Sequence, residues 1–413
     1  MVSLRFDYRD IFRSARLAFS FQRLWIQFTG LFFGYVAYVV LTYLSLMLAG
    51  HELGKLFSRM GLLPGVIGYG LPWYSWIIYG LGAFALLFAW LVSGTGVARA
   101  TYMNLKGNTF YSWKEAIRFA FRKKGVSVIS TPVAILFIAV CTVAGGIVVG
   151  LPARIQHNFG DVVGVLISLF TVVWFLASLF LVFVILALGL SLFLTPSVLA
   201  TTDDDAFEGI FQSFSTLYSQ PWRFIIYELL LGVVAVIGLA ILAFFAKQAW
   251  GLMNTILAIG MGEQYINLSY SASGMVENWV YPAVAWSQKV SGGYSQYIFF
   301  SQEFLPISLP LIGKISATIF AVSLTIIGGF ILCYPLAIFN AGNSIIFLIL
   351  KKKKDDENLL ERKDQEEEDE EEMQDIQQPP VKERKAKPAT KPKKKAPAKK
   401  VAPKKTAAKK AKK

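Results

Sequence analysis

The sequence predicts an all-α, polytopic membrane helix bundle of about six spans. The spans fall into three amphipathic-helix-plus-helix-pair units, and a disordered C-terminal tail follows. Three observations lead there. Hydrophobic residues make up 55% of the chain and charged residues only 16%, a balance soluble domains rarely reach. Six apolar runs are each long enough to cross a bilayer, which takes about 20 residues. One layout, a short amphipathic helix leading into a long apolar run, recurs at Tyr8, Trp113 and Phe207.

The third copy shows the layout most clearly. Phe207, Ile210, Phe211, Phe214, Leu217 and Tyr218 fall on one face of a 3.6-residue helix. In the first copy the same spacing gives Tyr8, Ile11, Phe12, Ala15, Ala18 and Phe19. The second gives Trp113, Ala116, Ile117 and Ala120, and then departs from the pattern at Lys123 and Lys124. Each copy carries a start signal. Asp7 precedes Tyr8, Ser112 and Glu115 have capping-box spacing, and Asp203, Asp204 and Asp205 precede Phe207, where the helix dipole favours negative charge. Pro221 suits the first turn of the following helix, where its missing N–H costs nothing. Such helices fit two places, the membrane interface with the apolar face down or the surface of the bundle.

The spans are read as 24–49, 75–98, 126–151, 162–195, 223–246 and 315–350. The fourth and sixth exceed the needed length, so they tilt or project. The repeat units are about 1–105, 106–199 and 200–350, within an integral membrane domain over 1–350. The first run is too long for a signal-peptide core and lacks a small-residue cleavage pattern.

Basic residues set the orientation. The side holding the amphipathic helices carries Arg5, Arg9, Arg13, Arg16, Arg23, Arg99, Lys106, Lys114, Arg118, Arg122, Lys123, Lys124 and Arg223. The other carries only Lys55, Arg59, Arg154, Lys247, Lys289 and Lys314. Both termini are therefore expected in the cytoplasm, and the chain in the inner (cell) membrane.

Along the chain, Gly30 and Gly34 have GxxxG spacing, which chance explains well in so glycine-rich a run. His51 lies in one outer loop and His157 in another, so no histidine-rich zinc site is expected. No cofactor and no catalytic set is expected either, since the spans hold no HExxH, no paired aspartates and no GxSxG. Cys141 and Cys333 are expected to be small apolar core residues. Arg118, Arg122, Lys123 and Lys124 form a candidate patch for anionic lipid head groups, although positive-inside topology alone accounts for it. Pro132 is expected to kink the third span and Pro335 the sixth. Pro196 is expected to end the fourth.

Three intramembrane polar residues stand out. Glu228 lies about five residues into the fifth span, near the interface, and an ionisable group at that depth is a functional candidate. Asn340 and Asn343 share a face of the sixth span, where amides join helices or line a polar path. The loop 247–314 is long and aromatic, and is expected to lie on or dip into the outer membrane surface. Asn267-Leu268-Ser269 is a glycosylation sequon.

Residues 351–413 are read as a cytoplasmic tail that cannot bury a core. It is acidic over 355–375 and basic over 382–413, where sixteen Lys or Arg stand against Glu383 alone. The stretch KPKKKAPAKKVAPKKTAAKKAKK resembles linker-histone tails and some bacterial histone-like proteins. That resemblance implies salt-sensitive, sequence-independent nucleic-acid binding through Lys393, Lys394, Lys395, Lys399, Lys400, Lys404, Lys405, Lys409 and Lys410. Anionic lipid and the chain's own acidic block are rival targets. The FQSFSTLYSQPWRF stretch and its layout resemble uncharacterised bacterial multi-pass proteins, and are similar to the membrane domain of glycerophosphodiester phosphodiesterases. The hydrolase domain of that family has no counterpart here, so its activity does not carry over. The expected function is a non-enzymatic membrane scaffold or tether, with a transporter or permease for a small or lipidic substrate as the alternative. Membrane lipids, and nucleic acid through the tail, are the expected partners.

Overall fold

A computed structural model describes residues 4–155, 157–283 and 309–362, with backbone alone at 150, 152–155, 157–161, 166 and 217. All regular structure among these residues is helical. After a 3-10 turn over Tyr8–Phe12 come α1 (Arg13–Ala18), α2 (Phe21–Leu48), α3 (Leu53–Met60) and α4 (Trp73–Lys106). Next are α5 (Trp113–Arg118), a π turn over Phe119–Lys123, α6 (Gly125–Ile155), α7 (His157–Leu169) and α8 (Thr171–Thr202). The rest are α9 (Ala206–Ser219), α10 (Pro221–Met261), α11 (Glu263–Trp279), α12 (Leu311–Asp355) and a 3-10 turn over Leu359–Glu361.

Six helices are long and apolar enough to span a membrane: α2, α4, α6, α8, α10 and α12. The chain is a multi-pass helical membrane protein. Three of these helices, α4, α8 and α12, touch one another and form the centre. Each carries its sequence predecessor on its flank, α2 on α4, α6 on α8 and α10 on α12. The amphipathic segments follow a cyclic rule: α5 packs on α4, α9 on α8, and α1 closes the ring on α12.

Burial concentrates at one end of this centre. Every residue of 93–103, 194–203 and 340–350 is buried. At the opposite end of α6 and α8, apolar side chains such as Val143, Ile147, Phe175 and Leu179 are exposed, as a lipid-facing surface requires. At about 1.5 Å per residue, the 45 residues of α12 exceed twice the hydrocarbon thickness of about 30 Å.

Several boundaries differ from expectation for physical reasons. Pro196 does not end the fourth span but lies inside α8, which runs on to Thr202; burial of 194–203 on all sides outweighs one missing backbone bond. The run 162–195 is broken at Phe170, between α7 and α8. The front of the expected loop 247–314 is helix: α10 continues to Met261, and α11 packs on α12. Asn267 of the sequon lies in α11, and residues 284–308 lie outside the described residues. Gly30 and Gly34 are a real contact: an added Cβ would sit 2.5 Å from Ser93 Cβ and 2.2 Å from Ala89 Cβ, so the pair lets α2 close on α4. Cys333 is buried as expected, but Cys141 is exposed on the apolar surface. The packed body also passes the expected boundary at 350. Leu359 and Leu360 are buried, and the Tyr102 hydroxyl donates to the Leu359 carbonyl at 2.8 Å.

Candidate functional site

The buried end gathers most of the polar chemistry. Arg23, at the start of α2, donates to the Leu17 carbonyl and, at 3.3 Å, to Ala100. Gln22 donates to the Tyr111 carbonyl at 2.5 Å. Arg99, fully buried on α4, donates to the Ala200 carbonyl at 3.0 Å and lies 4.4 Å from the Phe119 ring centroid. It thereby meets the negative end of α8 and stacks on an aromatic face. Asp203 ends α8 in the left-handed conformation, with φ +58°. Its carboxylate pairs with Lys124 at 2.9 Å, and Lys124 also donates to the carbonyls of Asp203 at 2.7 Å and Asp204 at 3.1 Å. The expected acidic start of α9 thus splits: Asp203 closes the preceding helix, and Asp205 sits at the N-cap without a side-chain bond.

The other start signals form as read. Asp7 caps the first 3-10 turn through Arg9 N at 2.9 Å, Ser112 and Glu115 form a reciprocal capping box, and Pro221 opens α10. Past α12, Lys352 pairs with Asp356 at 2.9 Å and holds that exposed carboxyl below the usual range. On α11 the Tyr265 phenol donates to Asn254 Oδ1 at 2.8 Å, and burial pushes it upward.

A polar chain crosses the interior between helices. Asn340 Nδ2 donates to Gln27 Oε1 at 2.8 Å, and Gln27 Nε2 donates to Ser93 Oγ at 3.1 Å. Ser344 Oγ donates to the Asn340 carbonyl at 3.1 Å and approaches Ser197 Oγ at 3.5 Å. The chain links α2, α4, α8 and α12. Gly94 makes room for it, because a Cβ there would fall 2.8 Å from Asn340 Oδ1. Asn343, one turn on, has both side-chain polar atoms buried with no hydrogen-bond partner among the described residues. Glu228 is half-buried, and both its carboxylate oxygens are likewise shielded and unpartnered.

The candidate lipid patch divides. The π turn closes with Lys124 N donating to the Phe119 carbonyl at 3.0 Å, the wider i→i+5 spacing. It turns Phe119 and Ala120 inward while Phe121, Arg122 and Lys123 stay exposed. Lys124, one residue on, is buried against Asp203 and does not join Arg118, Arg122 and Lys123 at the surface. This is the physical reason for the pattern break at Lys123 and Lys124.

The three amphipathic segments turn aromatic side chains outward. Tyr8, Phe12 and Phe19 are exposed in the first, Trp113 and Phe121 in the second, and Phe207, Phe211 and Tyr218 in the third. In α9 the polar Gln212, Ser213 and Thr216 are buried, and Ile210 and Phe214 pack against the cluster of Ile135 and Val184. Phe207, Phe211 and Tyr218 turn out, which suits an interfacial helix whose outward aromatic side chains meet lipid.

The tail lysines Lys393 to Lys410 lie outside the described residues. No cluster of metal-ligating side chains occurs among the described residues. The His51 ring packs edge-on against Tyr69, with centroids 5.0 Å apart. Gln27 and Ser93 are polar residues of the interior that the sequence did not single out, while Arg99 and Asp203 stood out only as a basic-side charge and a helix-start signal. A lone glutamine in an apolar run was the available signal for the first. No protein-family model, curated protein or solved structure matches the chain.

Proposed function

We propose that the protein is a non-enzymatic membrane scaffold that tethers nucleic acid through its basic tail, with anionic lipid as the rival target. The observation that carries this reading is the charge of residues 382–413, sixteen Lys or Arg against one acid. Such a segment neutralises phosphates and binds without regard to sequence. The body supports it, because the Asn340 amide is used to fasten helices together and Arg99 and Lys124 cap a helix end. The positive-inside rule supports a cytoplasmic tail and cytoplasmic amphipathic segments. The test is a pulldown of duplex DNA by the full chain and by a chain lacking 382–413. Loss of DNA with the deletion is expected, and unchanged binding overturns the reading.

A second reading, a transporter, is favoured by one observation: Glu228 and Asn343 keep buried polar atoms without partners among the described residues. Polar groups in spans often mark ion or substrate paths. Proton flux into proteoliposomes loaded with a pH-sensitive dye, abolished by Glu228→Gln, would support it. Absence of flux in the unaltered protein would count against proton transport.

A further inference from the structure

We propose that the outer face of α5 and the π turn is a binding site for one acidic phospholipid, independent of the tail. Six residues line a cleft of about 290 Å³ there: Trp113, Lys114, Ile117, Arg118, Phe121 and Arg122. They form two adjacent stripes. Trp113, Ile117 and Phe121 recur every fourth residue, and so do Lys114, Arg118 and Arg122, the spacing that stacks side chains along one helix face.

The cationic stripe is uncompensated. None of Lys114, Arg118 and Arg122 has a carboxylate partner among the described residues, and all three are exposed. Glu115, the one acid on this segment, is occupied in the capping box with Ser112. The apolar stripe is only partly buried: Ile117 packs against the core, while Trp113 is 39% and Phe121 60% exposed. A soluble anion would use the cations and leave the aromatic stripe in water. A nucleic acid would have no use for aliphatic Ile117. A phospholipid uses both, with the phosphate on the guanidinium and ammonium groups and an acyl chain along Trp113, Ile117 and Phe121.

Position supports the same occupant. The segment lies between α4, a span that ends at Lys106, and α6, a span that begins at Gly125. The cleft is therefore at the level where a bilayer presents head groups. The Lys114 ammonium lies 5.6 Å from the Trp113 ring centroid, an aromatic-cation pairing suited to a wet edge over an apolar body. Lys123 and Lys124 are not needed.

The experiment is native mass spectrometry of the full chain in neutral detergent, with phosphatidylglycerol and phosphatidylcholine added in turn. The unaltered protein is expected to retain one phosphatidylglycerol in preference to phosphatidylcholine. Lys114→Gln, Arg118→Gln and Arg122→Gln together should abolish the preference, at roughly fivefold per cation removed. Arg118→Gln alone, the milder change, should lower it about fivefold. Trp113→Ala with Phe121→Ala should weaken retention of the lipid while leaving competition by millimolar inorganic phosphate unchanged. Neutralising Lys399, Lys400, Lys404 and Lys405 in the tail should leave the preference intact. A preference that survives the triple variant or follows the tail lysines, or retention of the lipid that the aromatic variant leaves unchanged, overturns the proposal.

Discussion

Lys124 and Asp203 form an ion pair at 2.9 Å with both side chains buried, joining the residue that precedes α6 to the residue that closes α8. The pair fastens the second helix pair at the end where all three central helices are buried. Removing either partner leaves an isolated buried charge, which costs far more than the pair itself contributes.

Lys124→Ala or Asp203→Ala is therefore expected to lower stability by about 3–5 kcal/mol. Lys124→Met combined with Asp203→Asn should cost less than either single change, since no charge is stranded and asparagine tolerates the left-handed backbone. Denaturant unfolding of the purified protein in detergent measures all three. A double variant as unstable as the sum of the singles would show that the pair is not coupled.

The α2–α4 contact should be intolerant of a methyl group at Gly34, and the α10–α12 contact more tolerant of one at Gly342. At Gly34 the new Cβ would lie 2.2 Å from Ala89 Cβ, an atom fixed to the opposing backbone. At Gly342 the nearest atom, also at 2.2 Å, is the Cδ1 of Leu231, the end of a flexible side chain. Gly34→Ala is expected to cost about 1–3 kcal/mol and Gly342→Ala less. Thermal unfolding of the two variants side by side decides the order, and the reverse order would contradict it.

Much of this architecture is legible in the sequence because it rests on local patterns. Apolar length gives the six spans, and the stripe at Phe207, Ile210 and Phe211 gives the amphipathic helix. The Ser112–Glu115 spacing gives the capping box. What is hidden depends on neighbours distant in the chain. Gly34 is uninformative until Ala89 lies opposite it, and Pro196 reads as a stop until the surrounding protein holds α8 together to Thr202. Lys124 reads as surface charge because nothing local shows the π turn that rotates it toward Asp203. The candidate site was half visible: Asn340 and Glu228 stand out in apolar runs, whereas Asn340's partner Gln27 lies 313 residues away.

The polar chain through Asn340 should behave as fastening. Asn340→Ala strands Gln27 Oε1 and is expected to cost about 0.5–2 kcal/mol. It should leave DNA binding by the full chain unchanged at a temperature where the variant is folded. A variant of full stability with altered binding would give Asn340 a direct role instead.

Glu228 should be a liability for stability. Its two shielded oxygens lack partners among the described residues, and a buried polar group without hydrogen bonds costs roughly 1–3 kcal/mol. Glu228→Leu is expected to raise the thermal midpoint in detergent. A fall in the midpoint would show that the carboxyl is satisfied in the membrane, by water or by a bound ion.

The most direct test of the tether is the salt dependence of DNA binding, measured with the full chain in nanodiscs of neutral lipid. Each phosphate neutralised contributes about −0.9 to the slope of log affinity against log salt concentration. A slope of about −5 or steeper is expected, becoming shallow when Lys393, Lys394, Lys395, Lys399, Lys400, Lys404, Lys405, Lys409 and Lys410 are changed to glutamine. Binding that is absent at low salt, or a slope that the lysine changes leave unaltered, would contradict a nucleic-acid tether in this tail.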